Sequence, residues 1–158
     1  MKIIKSILLI SLLFFLQDCS DNITGWYETS TKPVILSDTG IGALQSDSIS
    51  IQKVEINGDN IIIYCTYLGG CGTHSLNLYS ETGFLESSPV QLRMRLIHKA
   101  DSETCDKVIH VIAKFDLRQV AGKYKSAYRT DKGIIMLSIY DSDLTKQLLP
   151  QPKYVFEN

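Results

Sequence analysis

Apolar and polar positions alternate along this chain in short runs, and no segment carries a sustained period near 3.6, so the pattern predicts strands throughout. Residues 48–56 and 60–68 are rich in β-branched side chains and flank Asn57-Gly58-Asp59, a tripeptide whose Asn and Gly tolerate positive φ, which predicts a hairpin. In residues 74–79, His74, Leu76 and Leu78 share one face, while Ser75, Asn77 and Tyr79 share the other. Residues 91–98 repeat the alternation: Leu92, Met94, Leu96 and His98 point inward, and Arg93 and Arg95 are expected to face water. Ile109, Val111, Ala113, Phe115 and Leu117 form a further inward set, with His110, Lys114 and Asp116 outward. A short edge strand at Val34-Ile35-Leu36, a helical turn near residues 117–124, and strands at 133–140 and 153–156 complete the pattern. About seven short strands predict an all-β fold, an antiparallel, Ig-like β-sandwich, with a partly open barrel as the alternative.

The amino terminus is of a different kind. Lys2 and Lys5 precede the apolar run of residues 7–16, which is shorter than the roughly 20 apolar residues that a transmembrane helix needs, and Leu16-Gln17-Asp18-Cys19 follows. With no pair of small residues before a cleavage point, the order of charge, apolar run and cysteine predicts a lipoprotein export signal over residues 1–19. Cys19 is then the lipidated residue, although Asp18 stands where such signals carry a small side chain. Residues 20–32 are expected to act as a tether and residues 33–158 to form one sandwich domain. The predicted location is the bacterial cell envelope, as an outer-membrane lipoprotein facing the periplasm or the cell surface. Sixteen Lys and Arg against 17 Asp and Glu give a formal net charge of -1, and the charges form no basic cluster, which argues against a nucleic-acid partner.

Chemistry concentrates in Gly69-Gly70-Cys71-Gly72-Thr73-His74 and in the later pair His98 and Cys105. An envelope compartment is oxidising, and with Cys19 set aside the chain keeps three cysteines, Cys65, Cys71 and Cys105, which allow one bridge. Cys71 and Cys105, in turns at one end of a sandwich, are the expected pair. A bridge over that loop contributes about 3–4 kcal/mol in the chain-entropy model. The other readings are a metal-thiolate site, free thiols, and a Cys65–Cys71 bridge that would require the strand end to curl back. Cys65 is expected to be a buried, inert thiol. His74 and His98 fall on the inward face at the same end. They could fill space, or hold Zn or Cu with Asp101 or a thiolate as third ligand. No resident cofactor is otherwise expected.

The order GGC-x-x-H-S-L-N-L, then R-L-I-H-K-A-D-x-x-x-C, then Phe115-Asp116-Leu117, spanning roughly residues 60–120, is similar to a group of uncharacterised bacterial envelope lipoproteins. The resemblance implies no catalytic role and marks Cys71, His74, His98, Asp101 and Cys105 as positions of interest. The sequence carries no G-x-S-x-G, no H-E-x-x-H and no telling pair of carboxylates. Cys71 acting as a nucleophile with His74 would place a reactive thiol where thiols oxidise. The reading is therefore a lipid-anchored envelope module that binds an unidentified ligand or protein partner, with metal binding through His74 and His98 as the alternative and an enzyme as the third option.

Overall fold

The computed structural model describes residues 25–145 and 147–157, so the export signal expected over residues 1–19, with Cys19, lies outside the described residues. Two sheets enclose one core. The first contains β4 (Ser50–Asn57), β5 (Asn60–Gly69) and β8 (Lys107–Asp116), with the two-residue strands β1 (Tyr27–Glu28) and β2 (Lys32–Pro33) laid along the outer edge of β8. The second runs β10 (Lys153–Phe156), β9 (Gly133–Tyr140), β7 (Val90–Asp101), β6 (Thr73–Glu81), β3 (Ile35–Ser37). The predicted hairpin forms β4 and β5, with Gly58 at φ +56° in its turn. Between the sheets, Ile61, Ile63 and Phe115 from one side meet Leu78, Met94, Leu96 and Leu137 from the other, and each is at most 1% exposed. Burial of this apolar surface is the main stabilising term.

The all-β sandwich is as expected, and neither sheet closes into a barrel. The pairing, however, is mixed rather than antiparallel throughout. β7 and β9 are parallel because the chain between them crosses to the other sheet as β8 and returns through α1 (Arg118–Tyr128). β1, β2 and β3 are also parallel to their partners. The helix runs through Gly122 and ends at Arg129, whose φ of +53° is the left-handed conformation that closes helices. Part of the expected tether is ordered sheet: Tyr27 and Glu28 stand opposite Val111 and Ile112, and Lys32 and Pro33 opposite Phe115 and Asp116.

Arg95 corrects a second expectation. Its parity is outward as predicted, yet it is only 6% exposed, because residues 41–49 and 141–142 cover the outer face of β7. The guanidinium donates to the carbonyls of Ile41 (3.1 Å), Leu44 (2.5 Å), Asp141 (3.3 Å) and Ser142 (2.7 Å), which ties these two segments to the strand. The planar fork of an arginine supplies enough fixed donors for such a junction. The same covering segment runs past the end of β7, where Ser46 Oγ accepts the His98 N–H at 3.0 Å and the Asp47 N–H donates to the His98 carbonyl at 2.9 Å. It therefore completes the strand edge at the residue that matters for the site.

Candidate functional site

The β6–β7 register sets Leu76 opposite His98 and His74 opposite Ala100, so the two histidines are diagonal neighbours on the inward face. His74 Nδ1 lies 3.0 Å from His98 Nε2, and the rings are within 11° of parallel. Tyr67 of β5 reaches across from the opposite sheet and stacks on both, with centroids 4.6 Å from His74 and 4.3 Å from His98. His98 Nδ1 meets the Ser48 carbonyl at 3.0 Å. On the far side, His74 Nε2 stands 2.6 Å from Glu103 Oε2.

Glu103 holds this end of the molecule together, although motif spacing points to Asp101 instead. Its carboxylate accepts backbone N–H groups from two loops: Gly70 (2.9 Å), Cys71 (3.3 Å) and Gly72 (3.2 Å) from one, Thr104 (2.9 Å) and Cys105 (2.6 Å) from the other. These amides, led by Cys105, hold its carboxyl down at about 2, against the cost of burial, and His74 adds to the effect. The Cys71–Cys105 disulfide joins the same two loops, with Cα atoms 5.5 Å apart. Asp101 sits at the exposed end of the β6–β7 ladder opposite Thr73, and its carboxylate accepts from the Ser102 hydroxyl. The glycines of the turn follow from close packing. A Cβ at Gly69 would lie 2.6 Å from His74 Cε1 and 2.7 Å from Glu103 Oε2, and one at Gly72 would lie 2.2 Å from the Asp101 carbonyl oxygen.

The partners assign the protons. A carbonyl can only accept, so His98 Nδ1 carries a hydrogen; burial, the larger effect, lowers the pKa of His98 and keeps the ring neutral, leaving Nε2 as an acceptor. His74 Nδ1, facing that lone pair, must donate. His74 Nε2, facing an ionised carboxylate, must donate as well. His74 is thus an imidazolium paired with Glu103, and His98 is the neutral end of the relay. No ring nitrogen in this arrangement offers a free lone pair to a metal. A zinc ion needs roughly 2.0–2.1 Å to each nitrogen with both lone pairs converging on it, whereas here the facing nitrogens are 3.0 Å apart along a hydrogen bond. Cys71 and Cys105 are bonded to each other and supply no thiolate, although Glu103 lies close by. Cys65 is buried and free, and burial pushes its thiol up to about 12, in keeping with an inert core residue.

Beside this cluster the sandwich is open. Among the described residues, β6 has β7 on one side of residues 73–78 and no strand on the other, while residues 107–110 of β8 pair only with β5. Between these two edges lies a cleft of about 430 Å³, walled by Tyr27, Lys32, Tyr67, His74, Leu76 and Lys107, with Ile109 and Val111 as its apolar floor. The volume is that of a small-molecule site. Lys32 donates to the Leu76 carbonyl at 3.0 Å, capping one group of the bare β6 edge.

A two-sheet sandwich with a bridged loop pair at one end and a cleft between unpaired edges is thus the class that fold and site define. No family model matches the sequence, and no curated protein matches it. Solved structures do. A NigD-like immunity protein from Bacteroides caccae superposes with a TM-score of 0.58 at 14% identity, over 80% of this chain and 64% of that one. A toxin-related protein from Parabacteroides distasonis gives 0.49 at 18% identity, over 80% and 61%. A lipoprotein from Bacteroides fragilis gives 0.45 at 13%, over 82% and 71%. The chain spans less than two thirds of the length of the Bacteroides caccae protein, and the likeness shows a shared fold.

Because Glu103 has a depressed pKa, its contribution to stability is present above the unfolded-state value of about 4.3 and is lost as pH falls toward about 2. Acid titration of the melting temperature is expected to show wild type losing stability over that window, with Glu103→Gln starting lower at neutral pH and lacking that segment of the curve. Superimposable pH profiles would contradict the placement of Glu103.

Proposed function

We propose that this chain is a lipid-anchored binding module of the bacterial cell envelope, and that the cleft beside His74 is its binding site. The observation that carries the reading is the cleft itself: it lies between two strand edges, its floor is apolar, and its polar groups converge from β2, β5, β6 and β8. Pockets of this kind, with an apolar lining and few polar groups, are where small ligands bind. The disulfide supports an oxidising compartment. The charged start, apolar run and Cys19 support export and lipidation, and the order of motifs around Cys71, His74, His98 and Cys105 resembles envelope lipoproteins. The Bacteroides caccae neighbour is named for immunity, and at 14% identity that likeness reaches no further than architecture. Metal binding through His74 and His98 is the weaker reading, since it would require dismantling the hydrogen bonds to Ser48 and Glu103.

Binding is tested with the neutral apolar dye N-phenyl-1-naphthylamine. Wild type is expected to bind it saturably, and Ile109→Trp, which fills the cleft floor, to weaken it at least tenfold at an unchanged melting temperature. Equal binding by both proteins would place the dye elsewhere and refute the cleft as the site. Anchoring is tested by fractionation: Cys19→Ser is expected to move the protein from membranes to the soluble fraction, and membrane retention of the variant would contradict lipidation at Cys19.

A further inference from the structure

We infer that the ligand of the cleft is a small amphipathic organic anion, a carboxylate or sulfonate carried on an apolar body, received by Lys32 and Lys107. The inference rests on the binding reading above and adds the ligand's charge and polarity.

The two cations of the cleft lack a counter-charge. Lys32 and Lys107 both line it, and no acidic side chain does. His74 is the other charged group there, and Glu103 already neutralises it. Among the described residues neither ammonium meets a carboxylate: Lys32 is half-buried with the Leu76 carbonyl as its partner, and Lys107 forms no ion pair. Glu28 pairs with Lys114, which does not line the cleft, and Asp116 pairs with Arg118. Two lysines lining a cleft that also carries Leu76, Ile109 and Val111, neither paired with a carboxylate among the described residues, are complementary to an anion whose remainder is apolar.

Geometry narrows the class. The bond from Lys32 to the Leu76 carbonyl fixes one ammonium across the opening between the sheets, and an ammonium has three donors, so two stay available to a ligand. Lys107 stands at the start of β8, where a Cβ built on Gly70 would lie 3.8 Å from its Cβ and Cδ and 3.3 Å from Ile109 Cδ1. The two cations therefore approach the cleft from different strands, β2 and β8, with Leu76, Ile109 and Val111 also lining it. The hydroxyl-bearing Tyr27, Thr29 and Tyr67 complete the lining. A hydrated inorganic anion would leave the apolar floor unmatched, and a neutral apolar molecule would leave both charges unmatched. An amphipathic anion answers both.

Two dyes that differ by one sulfonate make the test: 8-anilinonaphthalene-1-sulfonate and N-phenyl-1-naphthylamine, titrated by fluorescence into the full chain. Wild type is expected to bind both, with the anionic dye alone weakened as salt rises from low to high concentration. The Lys32→Met, Lys107→Met double variant is expected to bind the anionic dye at least tenfold more weakly and the neutral dye within about threefold of wild type. Lys107→Glu, which reverses a charge that forms no ion pair among the described residues, is expected to weaken the anionic dye further than Lys107→Met. Decanoate and 1-naphthoate as competitors distinguish an acyl chain from a ring as the apolar body, and decanol is expected to compete more weakly than decanoate. Unchanged affinity of the double variant for the anionic dye, or an equal loss of both dyes, would overturn the anion assignment while leaving a binding cleft. If wild type binds neither dye, the binding reading itself fails.

Discussion

The carboxylate of Glu103 is the point on which this end of the molecule depends. A carboxylate withdrawn from water needs its lone pairs satisfied, and here five backbone amides and one imidazolium do so. Those amides belong to two loops, and the bridged cysteines within them are 34 residues apart in sequence, so the same interaction that solvates the charge also closes the loops on each other. The disulfide repeats that closure covalently. Charge and bridge are complementary: the bridge brings the amides within reach, and the carboxylate orients them. From there the order passes inward through His74 to His98, and through His98 to Ser48 in the segment that covers β7. One chain of hydrogen bonds thus links an exposed turn to the edge of the core.

The cleft follows from how the sandwich ends rather than from any single residue. β3 pairs with β6 only at residues 79–81, and β1 begins its pairing with β8 only at Val111, so both sheets are left with a bare edge on the same side. Bare edges invite pairing or must be covered. In this chain the segment from Tyr27 to Lys32 partly covers them, with the Thr29 N–H donating to the Ile112 carbonyl and Lys32 capping Leu76. What remains open is walled by Tyr67 and His74, which the relay holds in place. The rigidity of the bridged end therefore bears directly on the shape of the cleft.

Much of this architecture is legible in the amino-acid sequence. Alternation locates β6, β7 and β8, the β-branched runs around the Asn-Gly turn locate the β4–β5 hairpin, and the parity of His74 with Leu76 and of His98 with Leu96 places both rings on one face. Cys71 with Cys105 follows from compartment and turn position. Glu103 is hidden because it lies in an irregular loop where parity says nothing. Its only trace is the run of small residues at 69, 70 and 72, whose free amides call for an anion. Arg95 misleads for the opposite reason: its parity is right, but alternation reports which face a residue takes and not whether a distant segment covers that face. The parallel pairings and the ordered residues 27–33 depend on partners far away in sequence, which local pattern cannot name.

The hydrogen bonds of the relay require His74 to donate from both ring nitrogens, to Glu103 on one side and to a neutral His98 on the other. Long-range proton–nitrogen correlation spectra of the histidine rings at neutral pH test this arrangement most directly. Both His74 nitrogens are expected to show protonated shifts, His98 a protonated Nδ1 and a lone-pair Nε2, and Glu103→Gln is expected to return His74 to a neutral tautomer. A neutral His74 in the wild-type protein, or a doubly protonated His98, would contradict it.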